Sequence, residues 1–184
     1  MEASSLTFRK SKKKDNIQEL FAFCRGDADL VKMIEFELPE IEIKIVASLL
    51  EQDEPELCEI LWNSLDKPLK MFCRHPVSTG CEFGGEGRPP VHPVRTGTQA
   101  QPLGRKRWLL SKVPIGGVTY GIFGGYGGIT LYYGPCTEPL PARGSVVART
   151  IPDDMSDLVR AGKYVWNAQY LTHQPVIMIT RRKA

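Results

Sequence analysis

The chain has 184 residues, and its 24 Lys and Arg against 21 Asp and Glu give a formal net charge of +3. Hydrophobic residues make up 42% of it and charged residues 24%, close to the average for a globular protein. This composition excludes global disorder, a collagen-like repeat and an extended coiled coil. At this length we expect one domain with an appendage.

Several features predict a cytoplasmic protein without a membrane or nucleic-acid partner. No run of about 18 uncharged apolar residues occurs, and residues 1–5 do not open a secretory signal. The five cysteines are odd in number and irregularly spaced, which does not indicate a disulfide framework. The basic run at residues 9–14 is typical of a solvated arm, with weak adhesion to an acidic partner as the alternative.

The first 30 residues are predicted to form an arm that precedes the main domain. After the basic run, Ile17, Leu20 and Phe21 fit one face of a short amphipathic helix. Such a helix is marginal alone, so it should dock on the body or on a second subunit, which favours a homo-oligomer. Residues 31–184 then form the second region, which carries the fold.

Alternating apolar and polar residues predict strands in that region. Residues 33–38 and 41–45 flank the turn Pro39-Glu40 and indicate an antiparallel hairpin with one solvent-exposed face. Further strands are predicted at residues 69–74, 81–83, 108–113, 144–150 and 176–180, with two glycine-separated strands around a turn at residues 124–128. Residues 84–107 lack periodicity and predict a long loop.

Two helices are marked by their first residues. Asp53 is the expected cap of a helix with Pro55 in its first turn, and Asp154 precedes a second amphipathic helix. Together with the strands, these helices predict a mostly β fold with α elements. We expect a closed or nearly closed β-barrel of about eight strands capped by two helices.

This order of elements resembles the cyclophilin-like barrel family, particularly its compact bacterial branch. The resemblance covers roughly residues 33–182 and is carried by Ile34-Glu35-Phe36, residues 41–50, residues 53–58, Leu131-Tyr132-Tyr133-Gly134, residues 144–149, the helix after Asp154 and residues 176–180. Prolyl isomerases of this family use a Phe-His-Arg motif. The nearest segment here reads Phe72-Cys73-Arg74-His75, a departure that argues against prolyl isomerisation.

Within this barrel type, the chain is similar to the cucumopine synthases in size, in its glycine- and tyrosine-rich strands and in lacking a cofactor motif. That similarity implies opine biosynthesis: L-histidine and 2-oxoglutarate would condense through an imine and a Pictet–Spengler-type cyclisation, with no cofactor. The chemistry requires acid–base groups of tuned pKa and cationic anchors for carboxylates.

The segment from Arg74 to Glu86 supplies such groups. Glu82 and His75 are the predicted acid–base residues, and Arg74 and Glu86 are predicted substrate contacts. Glu82 alternates with Cys81 and Phe83, so we expect its carboxylate inside the barrel, where burial raises a carboxyl pKa. The alternatives are a solvent-facing Glu82 at a hairpin end, an exposed Arg74 and a structural His75.

Further candidates lie on or after the glycine-rich strands. Tyr126 is predicted to be catalytic or to cover the pocket, with a contact to a second subunit as the alternative, while Tyr120 and Tyr133 are predicted substrate contacts. Tyr132 and Tyr133 are adjacent, so at most one of them lines an interior pocket. Arg149 follows an apolar run and is either an inward anion anchor or a surface residue. Plain packing is the alternative for the other tyrosines, whereas the glycines around Tyr126 give it little to pack on.

Metal and nucleotide sites are not expected. The set Cys73, His75, Cys81 and His92 lacks the spacing of metal ligands. The glycines around Tyr126 are followed by a predicted strand rather than a helix, which argues against a phosphate-binding loop.

Two other function classes stay open from the sequence. One is a peptide-binding or prolyl-isomerase-like barrel, and the other is an accessory subunit of an enzyme that degrades cyclic amides. Peptide binding without any effect of small acids would favour the first. Co-purification with a larger chain would favour the second.

Overall fold

The computed structural model describes residues 31–76, 80–88, 90, 95–123, 126–137 and 142–183. The predicted arm at residues 1–30 and the loop residue His92 lie outside this part of the chain. The arm therefore stays a prediction.

Nine antiparallel strands lie within the described residues. They are β1 (Met33–Leu38), β2 (Ile43–Leu49), β3 (Leu69–Cys73), β4 (Gly80–Gly87), β5 (Arg107–Leu109), β6 (Gly117–Phe123), β7 (Tyr126–Cys136), β8 (Arg143–Thr150) and β9 (Val176–Arg182). Eight of them pair in the order β3-β9-β1-β2-β8-β6-β7-β4, and the short β5 pairs with β8 off this path.

The two ends of this sheet meet at one bridge. The backbone N–H of Arg74 donates to the Gly84 carbonyl at 2.8 Å, and the N–H of Gly84 donates to the Arg74 carbonyl at 3.0 Å. The bridge brings β3 beside β4 and nearly closes the barrel. The predicted fold class is therefore confirmed, and the architecture fits a cyclophilin-like barrel capped by helices.

Two α-helices of the described residues accompany the barrel: α1 (Pro55–Ser64) and α2 (Met155–Asn167), which continues into a π-helical turn (Ala168–Thr172). Pro55 begins α1 as predicted, but Glu54 occupies the N-cap position and its side chain makes no capping hydrogen bond. The prediction of Asp53 as the cap is wrong, because its carboxylate binds Lys106 instead. No helix in the described ranges has both the length and the apolar character needed to cross a membrane.

Four predicted boundaries need correction. Strand β4 extends to Gly87, so residues 84–87 are not loop, and β5 ends at Leu109 before a 3-10 turn. Ile41 belongs to the hairpin turn rather than to β2. Strand β7 begins at Tyr126, so residues 126–128 are strand rather than part of the predicted turn at residues 124–128.

The barrel interior is filled with apolar side chains. A single buried cluster joins Phe36 of β1, Ile45 of β2, Phe83 of β4 and Leu131 of β7 with apolar residues of both helices. Successive residues of a strand face opposite sides of the sheet. Because Phe83 points into this core, Glu82 points to the outer side, and the prediction of a Glu82 carboxylate inside the barrel is wrong.

Candidate active site

A cavity of about 640 Å³ lies against the outer face of β4, β6 and β7. Its volume is within the range of about 300–1,000 Å³ that is typical of small-molecule sites. Strand β8 and the segments at Gln99, Pro102 and Tyr170 form its walls. The apolar core therefore packs against the inner face of these strands, and the cavity opens on their outer face.

The floor of the cavity holds a buried carboxylate beside a phenol. Glu82 of β4 is directly opposite Tyr132 of β7 and is only 4% exposed. The Tyr132 side chain hydrogen-bonds with Glu82 and Thr119. Burial, and next the charge of Glu82, raise the pKa of Tyr132 well above its usual value of 10. Tyr132 therefore stays protonated and can donate its hydroxyl hydrogen to the Glu82 carboxylate.

His75 forms part of the cavity wall and is also buried. Its Nδ1 lies 3.1 Å from the Pro76 carbonyl oxygen, which can only accept, so Nδ1 carries the hydrogen. The other ring nitrogen, Nε2, then accepts from the Tyr133 hydroxyl at 2.8 Å. Burial lowers the pKa of His75, which agrees with a neutral ring.

The π-helical turn fixes the backbone of His75. The Gln169 side chain accepts from the His75 N–H at 2.7 Å and donates to its carbonyl at 2.9 Å. The Tyr170 hydroxyl donates to the same carbonyl at 2.5 Å. Gln169 and Tyr170 also line the cavity. Nothing in the sequence pattern near residue 170 marks these contacts, which join segments more than 90 residues apart.

Two aromatic rings stand at the mouth of the cavity. Tyr126 is 40% exposed, and its ring centroid lies 6.4 Å from that of Phe123. The Phe123 ring occupies the space above Gly121, where a Cβ would approach it to 2.3 Å. In front of the neighbouring Gly128 there is open space, since a Cβ there would come no closer than 3.8 Å to another heavy atom.

Two guanidinium groups of the described residues lie on the rim of the cavity, and they differ in whether an acidic side chain pairs with them. Arg74 forms an ion pair with Glu86. Arg143 donates to the Arg107 carbonyl at 3.2 Å, and no acidic side chain of the described residues forms an ion pair with it. Within the described residues, Arg143 therefore offers the cavity a positive charge that no ion pair compensates.

The structure brings most of the predicted site residues to this cavity. Those that line it are Arg74, His75, Glu82, Glu86, Tyr120 and Tyr126. Of these, Tyr120 hydrogen-bonds to Ser64 of α1 through its side chain, so its hydroxyl is directed to the core side. The lining residues that were not predicted are chiefly Thr119, Arg143, Gln169 and Tyr170.

Two predicted residues do not line the cavity. Arg149 is exposed and alternates along β8 with the buried Ala148 and Thr150, so the structure does not place it as an inward anion anchor. Tyr133 lies on the core side of β7, where its ring packs on Gly162 of α2, and it reaches the site only through His75.

Metal ligation has no support within the described ranges. They contain no group of three or more His, Cys, Asp or Glu side chains that could hold a metal ion. Of the four residues considered for a metal site, His92 lies outside those ranges.

No protein-family model matches the chain, and no curated protein matches it. One of the solved structures that it resembles is McbB in complex with tryptophan. The TM-score is 0.68 and the sequence identity 28%, over 82% of this chain and 45% of the McbB chain. The likeness extends over most of the barrel described above, and the chain spans less than half the length of McbB.

Proposed function

We propose that this protein catalyses a Pictet–Spengler-type condensation of an aromatic amino acid with a 2-oxo acid, and that L-histidine and 2-oxoglutarate are its specific pair. The observation that carries the proposal is the buried Glu82 carboxylate beside Tyr132 at the floor of a cavity with aromatic and cationic groups at its mouth. The tryptophan bound by the similar McbB structure supports an amino acid as one substrate.

The reaction requires proton transfers rather than redox chemistry. The neutral amine adds to the keto carbon, and the resulting carbinolamine is protonated and loses water to give an iminium ion. A ring carbon of the amino acid then attacks the iminium carbon and forms the new C–C bond. Loss of the proton from that ring carbon restores aromaticity, so one water is released in total.

Glu82 is the residue best suited to these transfers. As an acid it can protonate the leaving hydroxyl, and as a carboxylate it can take the ring proton afterwards. The hydrogen bond from Tyr132 would hold the carboxylate in place between the two steps. We assign no proton transfer to His75, because both of its ring nitrogens already bond within the protein.

The remaining groups would orient the substrates. Arg143 is suited to bind the carboxylate of the amino acid, since guanidinium and carboxylate pair through two hydrogen bonds. The Tyr126 and Phe123 rings are suited to stack on its aromatic side chain. Holding both reactants together contributes to catalysis by replacing a bimolecular encounter.

Mass spectrometry of a reaction mixture tests the proposal. Incubation of the protein with L-histidine and 2-oxoglutarate is expected to give a product with the summed mass minus one water that persists in acid, where the imine of equal mass hydrolyses, at a rate above that of a mixture without protein. Tryptophan in place of histidine tests the choice of amino acid. Absence of product with either amino acid, together with isomerisation of a proline peptide, would favour the peptide-binding alternative and contradict the proposal.

A Glu82→Gln variant tests whether the product is formed in this cavity. The amide has nearly the shape of the carboxylate but cannot accept the ring proton, so we expect kcat to fall by roughly 100-fold or more. Glu59→Gln, at an exposed position of α1, is the matched control and should leave kcat unchanged. Equal activity of the two variants would remove Glu82 from the mechanism.

A further inference from the structure

An ion pair between Arg74 and Glu86 lies on the rim of the cavity. Both residues line the cavity. Arg74 is held by its two backbone hydrogen bonds to Gly84, and Glu86 is held by the pairing of β4 with β7, opposite Gly128. The two side chains therefore meet from fixed backbone positions on the rim rather than from mobile loops.

Space for a ligand lies directly beside Glu86. Gly128 of β7 is its cross-strand neighbour, and the space above the next residue across the sheet, Gly121 of β6, is filled by the Phe123 ring. A Cβ at Gly128 would touch only the Gly121 carbonyl oxygen, at 3.8 Å. A carboxylate-bearing chain can therefore lie in front of Gly128, between the Phe123 ring above Gly121 and the Glu86 side chain, and approach the Arg74 guanidinium.

The pair is weak enough to be opened by a competing anion. The side chains of Arg74 and Glu86 are 65% and 35% exposed, and ion pairs with this exposure contribute little net stability. A substrate carboxylate can thus replace Glu86 on Arg74 at small cost. Arg143 is a second rim cation among the described residues, and it can bind one carboxylate without displacing any acidic side chain among them.

We propose that Arg74 and Glu86 together set the preference of the cavity between dicarboxylic and monocarboxylic 2-oxo acids. Arg74 binds the distal carboxylate of a dicarboxylic 2-oxo acid, and Glu86 competes with that carboxylate for the same guanidinium. A monocarboxylic 2-oxo acid has no distal carboxylate and does not need the pair to open. This inference rests on the proposed function.

Substitution of each partner separately tests the proposal. The measurement is kcat/KM for 2-oxoglutarate divided by kcat/KM for pyruvate, at a fixed concentration of the amino acid. Glu86→Gln frees Arg74 and should raise this ratio by roughly three- to tenfold, while Arg74→Gln should lower it by a similar factor. If the ion pair has only a structural role, both variants should change this ratio in the same direction, because either substitution breaks the pair.

The pair between Glu56 and Arg95 supplies the control. It joins the same two residue types, both exposed, and neither residue lines the cavity. Glu56→Gln should leave the ratio unchanged. A ratio that stays constant in the Glu86→Gln and Arg74→Gln variants, or moves in one direction in both, overturns the inference while the proposed function stands. If the wild-type protein converts neither 2-oxo acid with histidine or tryptophan, both fail together.

Discussion

His75 shows how one buried side chain can connect stability to pH. Its ring donates to the Pro76 carbonyl and accepts from Tyr133, an arrangement that requires the neutral form. Burial lowers its pKa below the usual 6.5, so the unfolded chain binds the proton more tightly than the folded one. The stability contributed by neutral His75 is therefore present above pH 6.5 and is lost as the pH falls below it.

Thermal unfolding of the wild type and a His75→Gln variant between pH 5 and pH 8 measures this effect. We expect the difference in Tm, wild type minus variant, to grow as the pH rises, by about 2–4 °C for each kcal/mol at this chain length. The difference should level off above pH 7. A difference that is the same at every pH would contradict the account of His75.

Single residues also show what the sequence could and could not predict. Alternation correctly placed Glu82 and Phe83 on opposite faces of β4. It could not tell which face is the barrel interior, because the apolar residues that fill the interior come from distant strands such as β1 and β2. The same alternation separates Tyr132 from Tyr133, and only the structure shows that Tyr132 lines the cavity.

At the scale of elements, Glu54 connects the start of α1 to the loop that covers the cavity. Its buried carboxylate accepts from the backbone N–H groups of Arg105 at 2.7 Å and of Lys106 at 2.5 Å. The same loop carries Gln99 and Pro102, which line the cavity. Glu54 therefore fixes a wall of the site without contacting the cavity.

A Glu54→Gln variant should lower the free energy of unfolding by about 1–3 kcal/mol. The amide can accept from only one of the two N–H groups and leaves the other without a partner in a buried place. Urea denaturation measures the change. The neighbouring Asp53→Asn is the matched control, because its partly exposed pair with Lys106 contributes less than about 1 kcal/mol. Equal losses in the two variants would contradict this role of Glu54.

The elements that the sequence predicted well are those with strong periodicity or clear ends. The β1–β2 hairpin, α2 and β9 were placed within a few residues by alternation, helical spacing and Pro175. The second half of β4 was missed, because Gly84, Gly85 and Gly87 have no side chains to show an alternating pattern. Its strand conformation comes from pairing with β7, which local sequence does not encode.

At the scale of the whole molecule, the residues that stabilise the barrel and the residues suited to catalysis lie on opposite faces of the sheet. Apolar side chains fill the interior and hold the eight strands together. The polar groups that suit catalysis lie on the outer face, where loops and the π-helical turn enclose them. A site assembled from Arg74, Glu82, Arg143 and Tyr170 depends on long-range closure of the barrel, so its full membership could not be predicted from local patterns.

A crystal structure of the Glu82→Gln variant with L-histidine and 2-oxoglutarate tests the central claim most directly, because the slowed variant should retain its reactants. We expect both compounds, or the imine that they form, in the cavity on the outer face of β4, β6 and β7. The amino-acid carboxylate should contact Arg143, and the reacting ring should lie beside residue 82. Reactants bound elsewhere on the protein, with this cavity unfilled, would contradict the account.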